Sequence, residues 1–205
     1  MDKIIIGADP FPPYQYINGN GKISGSDYKK IKKVVELMDY KAEFVIKEWS
    51  VIEKMFSEKK IDILFQVQKT QKREELYFFS DKFRDAITTI VTTINKVKFK
   101  RIDDIFEYGK LGVERNYQYG EIIDYIDKQN KVFFKSLNEL LEAVNNKEVS
   151  FGIADLEVYK YLDQYNSYNE IEIIESLKFN RPLYVMFNSK ELRDEFNIYF
   201  RNVKK

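Results

Sequence analysis

Arg73 and Asp155 are the two residues of this sequence best placed to hold a small charged molecule. Arg73 follows the apolar run Ile61–Phe65 after a polar link, Gln66 to Lys72. An arginine presents a planar fork of donors that grips a carboxylate through two parallel hydrogen bonds. Asp155 stands at the end of a second apolar run, Val149–Ile153, and a carboxylate there can receive an ammonium. One cation and one anion at the ends of different strands suit a zwitterion, each charge-assisted hydrogen bond contributing ~1.5–3 kcal/mol. Solvation or pairing with neighbours would satisfy the same side chains, and the pattern alone leaves both readings open.

Other chemistry is thinly supplied. The chain has no histidine and no cysteine. Disulfides, thiolate metal sites and cysteine nucleophiles are therefore excluded, and the commonest general acid–base group and metal ligand is missing. Carboxylate and lysine chemistry remain, so an enzyme is disfavoured, and no metal or cofactor is expected. The 34 Lys and Arg residues nearly balance 33 Asp and Glu without a long single-sign block, which gives nucleic acid no surface to read. No run approaches the ~18–20 apolar residues that span a bilayer. Lys3–Ala8 is too short for a secretory leader and reads as a strand.

The elements that must position these residues alternate. Lys3–Ala8 is a strand ending at Asp9-Pro10-Phe11-Pro12-Pro13, where proline forbids regular structure. Tyr14–Ile17 and Lys22–Ser24 flank Asn18-Gly19-Asn20-Gly21, a hairpin signal. Helical spacing covers Tyr28–Met38 and Val51–Ser57, with strands at Ala42–Ile46 and Ile61–Phe65. Leu76–Phe79 and the β-branched Ala86–Thr93 are further extended segments. The rhythm then restarts after the lysine-rich Asn95–Arg101. Strands are expected at Leu111–Val113, Val132–Phe134, Val149–Ile153, Ile171–Ile174 and Leu183–Phe187. Helices are expected at Tyr119–Ile126, from the capping box Ser136-Leu137-Asn138-Glu139 to Asn145, at Leu156–Leu162 and at Glu191–Arg201. Such alternation implies sheets of parallel strands covered by helices, with ligands at the carboxyl ends of the strands.

The linear motifs add a family resemblance. They run Gly7-Ala8-Asp9-Pro10-Phe11-Pro12-Pro13-Tyr14, Gly19-Asn20-Gly21-Lys22-Ile23-Ser24-Gly25, Trp49, Asp62-Ile63-Leu64-Phe65, Lys69-Thr70-Gln71-Lys72-Arg73-Glu74 and Tyr77-Phe78-Phe79-Ser80-Asp81. Leu111-Gly112-Val113, Asn116-Tyr117-Gln118-Tyr119-Gly120 and Val149-Ser150-Phe151-Gly152-Ile153-Ala154-Asp155 continue the series. In order and spacing the chain resembles the type II periplasmic solute-binding proteins, specifically the polar amino-acid-binding family. The resemblance implies an α/β, two-lobed (Venus flytrap) fold, with residues 1–93 plus 184–205 as one lobe and 94–183 as the other. The crossovers would fall near Thr92–Lys96 and Asn180–Tyr184.

The resemblance also implies roles. Arg73 would clamp the ligand α-carboxylate and Asp155 its ammonium. Phe11 and Trp49 would sandwich its side chain, although both also read as ordinary core aromatics. Gln66 and Gln68 stand where the family contacts the ammonium, and Asp9 where it often contacts the ligand side chain. Asn116, Tyr117 and Gln118 would offer backbone N–H groups to the carboxylate. The sequence departs from the family at Gln66 and Gln68, where small residues are usual, and at Asn116-Tyr117-Gln118, where Gly-Thr-Thr or Gly-Tyr-Ser is common. The implied mechanism is hinge closure around an amino acid or related carboxylate in an extracytoplasmic, monomeric protein. The partner would be an ABC-type membrane permease or the transmembrane region of a receptor whose sensor this is. A dehydratase-like enzyme on the same fold, using Asp9, Asp155 or Glu114, is the rival from another class.

Overall fold

The computed structural model describes residues 2–95, 97–115, 117–166 and 168–203. Along the chain run β1 (Lys3–Ala8), β2 (Tyr16–Ile17), β3 (Ile23–Ser24), α1 (Ser26–Leu37), β4 (Lys41–Ile46), α2 (Trp49–Ser57), β5 (Ile63–Val67), α3 (Gln71–Glu74), β6 (Phe78–Phe79) and β7 (Arg84–Thr92). A 3₁₀ turn at Ile102–Glu107 leads to β8 (Leu111–Glu114), α4 (Glu121–Asp124), β9 (Lys131–Phe134), α5 (Leu137–Asn145), β10 (Phe151–Asp155), α6 (Leu156–Asn166), β11 (Glu172–Phe187) and α7 (Lys190–Val203). The chain forms two compact units, Met1–Asp85 with Pro182–Lys205, and Ala86–Arg181.

In the first unit β4, β1 and β5 are parallel neighbours, and the C-terminal part of β11 pairs antiparallel with β5 and β6. Side chains alternate across this sheet. Ile4, Ile6, Ile63 and Phe65 meet Ile31, Val34 and Val35 of α1 and Phe196 and Phe200 of α7. Ile5 and Leu64 face the other way, toward Ile52 and Phe56 of α2. Val67 should share the face of Ile63 and Phe65, yet it packs with the α2 side. The cause is a bulge: Tyr184 pairs with Val67 and Val185 with Phe65, which leaves Gln66 as the extra residue. Gln66 has φ 63°, a left-handed conformation that costs a non-glycine residue about 1 kcal/mol or more.

In the second unit β10 pairs antiparallel with β7 and parallel with β8, and β8 pairs parallel with β9. One apolar layer joins Ile90, Leu111, Val113, Phe151 and Ile153. The other joins Val91 and Ala154 to Leu140, Leu141 and Val144 of α5. A Cβ on Gly152 would stand 2.5 Å from Leu140 and 2.9 Å from Val144, so glycine lets α5 approach the strand. Ser136 caps α5, accepting from the Glu139 N–H at 3.3 Å, while Glu139 reaches back to the Lys135 N–H at 2.8 Å.

Three elements differ from the sequence reading. The expected strands Ile171–Ile174 and Leu183–Phe187 are one continuous β11. The stretch between them, Glu175 to Pro182, is mostly polar and reads as a loop, but Leu177 and Arg181 within it are buried. The expected helix Tyr119–Ile126 shrinks to the four residues of α4, because the Asp124 carboxylate folds back to the N–H groups of Tyr119 and Gly120 at 3.0 and 3.1 Å. The link before Arg73 is partly helical, since Thr70 caps α3 by accepting from the Arg73 N–H at 3.3 Å. The chain changes units inside β7 and β11, at Asp85/Ala86 and Arg181/Pro182. That differs from the expected divisions at 93/94 and 183/184, because the β-branched stretch stays extended through the change.

Candidate functional site

Arg73 lies in α3, just beyond the end of β5. Its guanidinium carbon is 5.2 Å from the centroid of the Trp49 ring. Its Nη2 donates to Glu53 Oε1 at 2.6 Å, and its Nη1 donates to the Gln68 carbonyl at 3.2 Å. Trp49 and Glu53 are one turn apart on α2, so helical spacing puts aromatic face and carboxylate on one side. Of the residues picked from sequence, Arg73, Trp49 and Gln68 thus come together. Glu53 joins them; its spacing from Trp49 was the signal that could have found it.

A second group in the same unit gathers Asp9, Phe11 and Gln66. The Phe11 N–H donates to the Gln15 carbonyl at 2.7 Å, and its ring stacks on Tyr14 with centroids 6.0 Å apart. Gln15, fully buried, links the group. Its Nε2 donates to the Asp9 carbonyl at 3.0 Å, and its Oε1 accepts from Gln66 Nε2 at 2.6 Å. Gln66 Nε2 also lies 2.7 Å from Asp27 Oδ2, as does Arg84 Nε. The Arg84 guanidinium sits 3.6 Å from the Tyr14 ring centroid. The bulge therefore turns the Gln66 amide inward, onto a buried carboxylate, and those bonds offset the strain of its backbone. Nothing in the sequence marked Gln15, Asp27 or Arg84 for this network, because their partners are distant in the chain.

In the second unit Asp155 ends β10 and caps α6. Its Oδ1 accepts from the N–H groups of Glu157 and Val158 at 3.1 and 3.2 Å. Its Oδ2 lies 3.5 Å from Arg181 Nη2, an ion pair beyond hydrogen-bond length, with side-chain exposures of 1% and 4%. Arg181 Nη1 donates to the Tyr117 hydroxyl at 3.4 Å, and its guanidinium lies 5.4 Å from that ring. Burial works against the Arg181 charge, but Tyr117, Asp155 and Tyr119 outweigh it and raise its pKa. Tyr119 accepts from the Glu114 N–H at 3.0 Å. Burial first, then the Glu114 charge, push its phenol well above the ordinary tyrosine range. Tyr117 is half-buried and Gln118 exposed; Asn116 lies outside the described residues. Arg181 was missed because it sits in a stretch that reads as loop.

Among the described residues no group of three or more carboxylates could hold a metal ion, and no helix is long and apolar enough to cross a membrane.

Two α/β units, joined through two strands and each with functional candidates at strand ends, define the two-lobed type II periplasmic-binding-protein fold. That fold is shared with a histidine kinase sensor domain similar to periplasmic binding proteins (TM-score 0.86, 17% identity, 98% of this chain and 90% of that one). It is also shared with the arginine-, lysine-, histidine-binding protein ArtJ from the thermophilic bacterium Geobacillus stearothermophilus (TM-score 0.81, 21% identity, 99% and 90%). Residues 4–204 match the bacterial extracellular solute-binding proteins, family 3, and the chain belongs to that family. A probable amino-acid ABC transporter-binding protein of Haemophilus influenzae is 24% identical over 104 residues. That match spans 50% of this chain and 40% of the relative.

Proposed function

We propose that this chain captures a small polar solute with a carboxylate, an amino acid, outside the cytoplasm and presents it to an ABC-type permease. The observation that carries the reading is Arg73, a guanidinium at a strand end lying against the Trp49 face. In the proposal Arg73 clamps the ligand carboxylate, Trp49 and Phe11 flank its side chain, and Gln66, Gln68 and Asp9 shape the pocket floor. From the second unit, Asp155 takes the ammonium in competition with Arg181, and the segment Asn116 to Gln118 offers backbone donors. Ligand then shifts the population toward a closed form. Family membership and the amino-acid-related name of the Haemophilus relative support the solute class.

A thermal-shift screen against the L-amino acids and small organic acids tests the reading. A ligand at ~100-fold its dissociation constant adds ~2.7 kcal/mol of stability, and the Arg73→Ala protein should not respond. A mutant that responds like the parent would overturn the clamp. The sensor-domain match favours a second reading, in which the same capture drives a receptor. A transmembrane segment and kinase encoded downstream in the same gene would decide for it.

A further inference from the structure

Arg73 meets its proposed role with its fork already in use. Glu53 holds Nη2 at 2.6 Å and the Gln68 carbonyl holds Nη1 at 3.2 Å. A carboxylate gripped fork to fork needs adjacent donors on two guanidinium nitrogens. While Glu53 stays, the cation is neutralised locally and an incoming carboxylate meets like charge. We propose that Glu53 is an internal stand-in for the ligand carboxylate, a specificity-determining residue that every ligand must displace from Arg73. This rests on the reading of Arg73 as the clamp.

The surroundings favour an exchange. Glu53 Oε1 takes a single hydrogen bond from the guanidinium, whereas a free ligand carboxylate can take two in parallel. The Glu53 side chain is 44% exposed against 15% for Arg73, so the released carboxylate returns to water while the arginine stays lodged against Trp49. Ion pairs with one partner this exposed hold weakly. A ligand without a planar carboxylate, such as an amine or an ester, has nothing to put in place of Glu53. The stand-in therefore selects for a free carboxylate on top of the attraction that Arg73 supplies.

Calorimetric titration of the parent, Glu53→Gln and Arg73→Ala with L-arginine, L-glutamine and L-glutamate, and with the α-methyl esters of arginine and glutamine and the dimethyl ester of glutamate, tests the proposal. Glu53→Gln should bind the free acids about three- to fivefold tighter, the gain expected from removing a partly exposed competitor, and the esters no tighter. Equal or weaker binding of the acids, or the same gain for the esters, overturns the stand-in. If Arg73→Ala keeps the parent affinity, the clamp itself is wrong; if it loses binding while Glu53→Gln gains nothing, only the stand-in fails. A readout without ligand completes the test. Phenylglyoxal should modify Arg73, followed by peptide mass spectrometry, faster in Glu53→Gln than in the parent. Equal rates overturn the proposal even if none of these solutes binds.

Discussion

The two units each hold an arginine–carboxylate pair at a strand end, and the pairs are built differently. Arg73–Glu53 is short, at 2.6 Å, and its carboxylate is 44% exposed. Asp155–Arg181 is longer, at 3.5 Å, with both side chains almost wholly covered. Water can take over from Arg73 when Glu53 leaves. Water has little access to Asp155 and Arg181, and separating a buried pair is costly for both charges. The first pair can exchange its partner for a solute at little cost, whereas a ligand ammonium reaching Asp155 competes with a buried guanidinium. Loss of the carboxyl group of an amino-acid ligand should accordingly cost more affinity than loss of its ammonium.

The contrast breaks most visibly in stability. Arg181→Met should cost about 3–5 kcal/mol, because it removes one member of a buried ion pair, as read by urea denaturation. A cost under ~1 kcal/mol would mean that the pair is no more fixed than that of Arg73. Alkali should act next, and on the second unit. Burial raises the Tyr159 pKa from 10.0 to about 12 and Tyr119 in the same direction. The folded chain therefore holds these protons more tightly than the unfolded chain. The stabilisation is complete below pH 10 and is lost as the pH climbs toward the folded values. Tyr119→Phe should flatten the fall in stability above pH 10, measured by hydrogen exchange in that unit. Arg73→Ala and Glu53→Gln should be the mildest, each within ~1 kcal/mol of the parent in urea, while changing ligand affinity in opposite directions.

Much of the fold was legible because it rests on local periodicity. The apolar run of Lys3–Ala8, the stripe of α1 and the Ser136 cap all point where the structure puts them. The position of Arg73 just past an apolar run was legible too, while its role as the clamp is a proposal. What escaped depends on contacts between distant residues. Leu177 lies between polar residues and Arg181 beside a proline, so β11 reads as two strands with a loop between. Gln66 looks like an ordinary polar residue after a strand, and only its pairing against Tyr184 and Val185 exposes the bulge. Glu53 lay one turn from Trp49 in plain view, yet its role depends on where Arg73 comes to rest.

A crystal structure with the solute that gives the largest thermal shift tests the exchange at Arg73 most directly. The ligand carboxylate should lie within hydrogen-bond distance of both Arg73 Nη atoms, with Glu53 turned away to solvent. A bound solute whose carboxylate lies elsewhere, with the Arg73–Glu53 pair intact, would contradict that exchange.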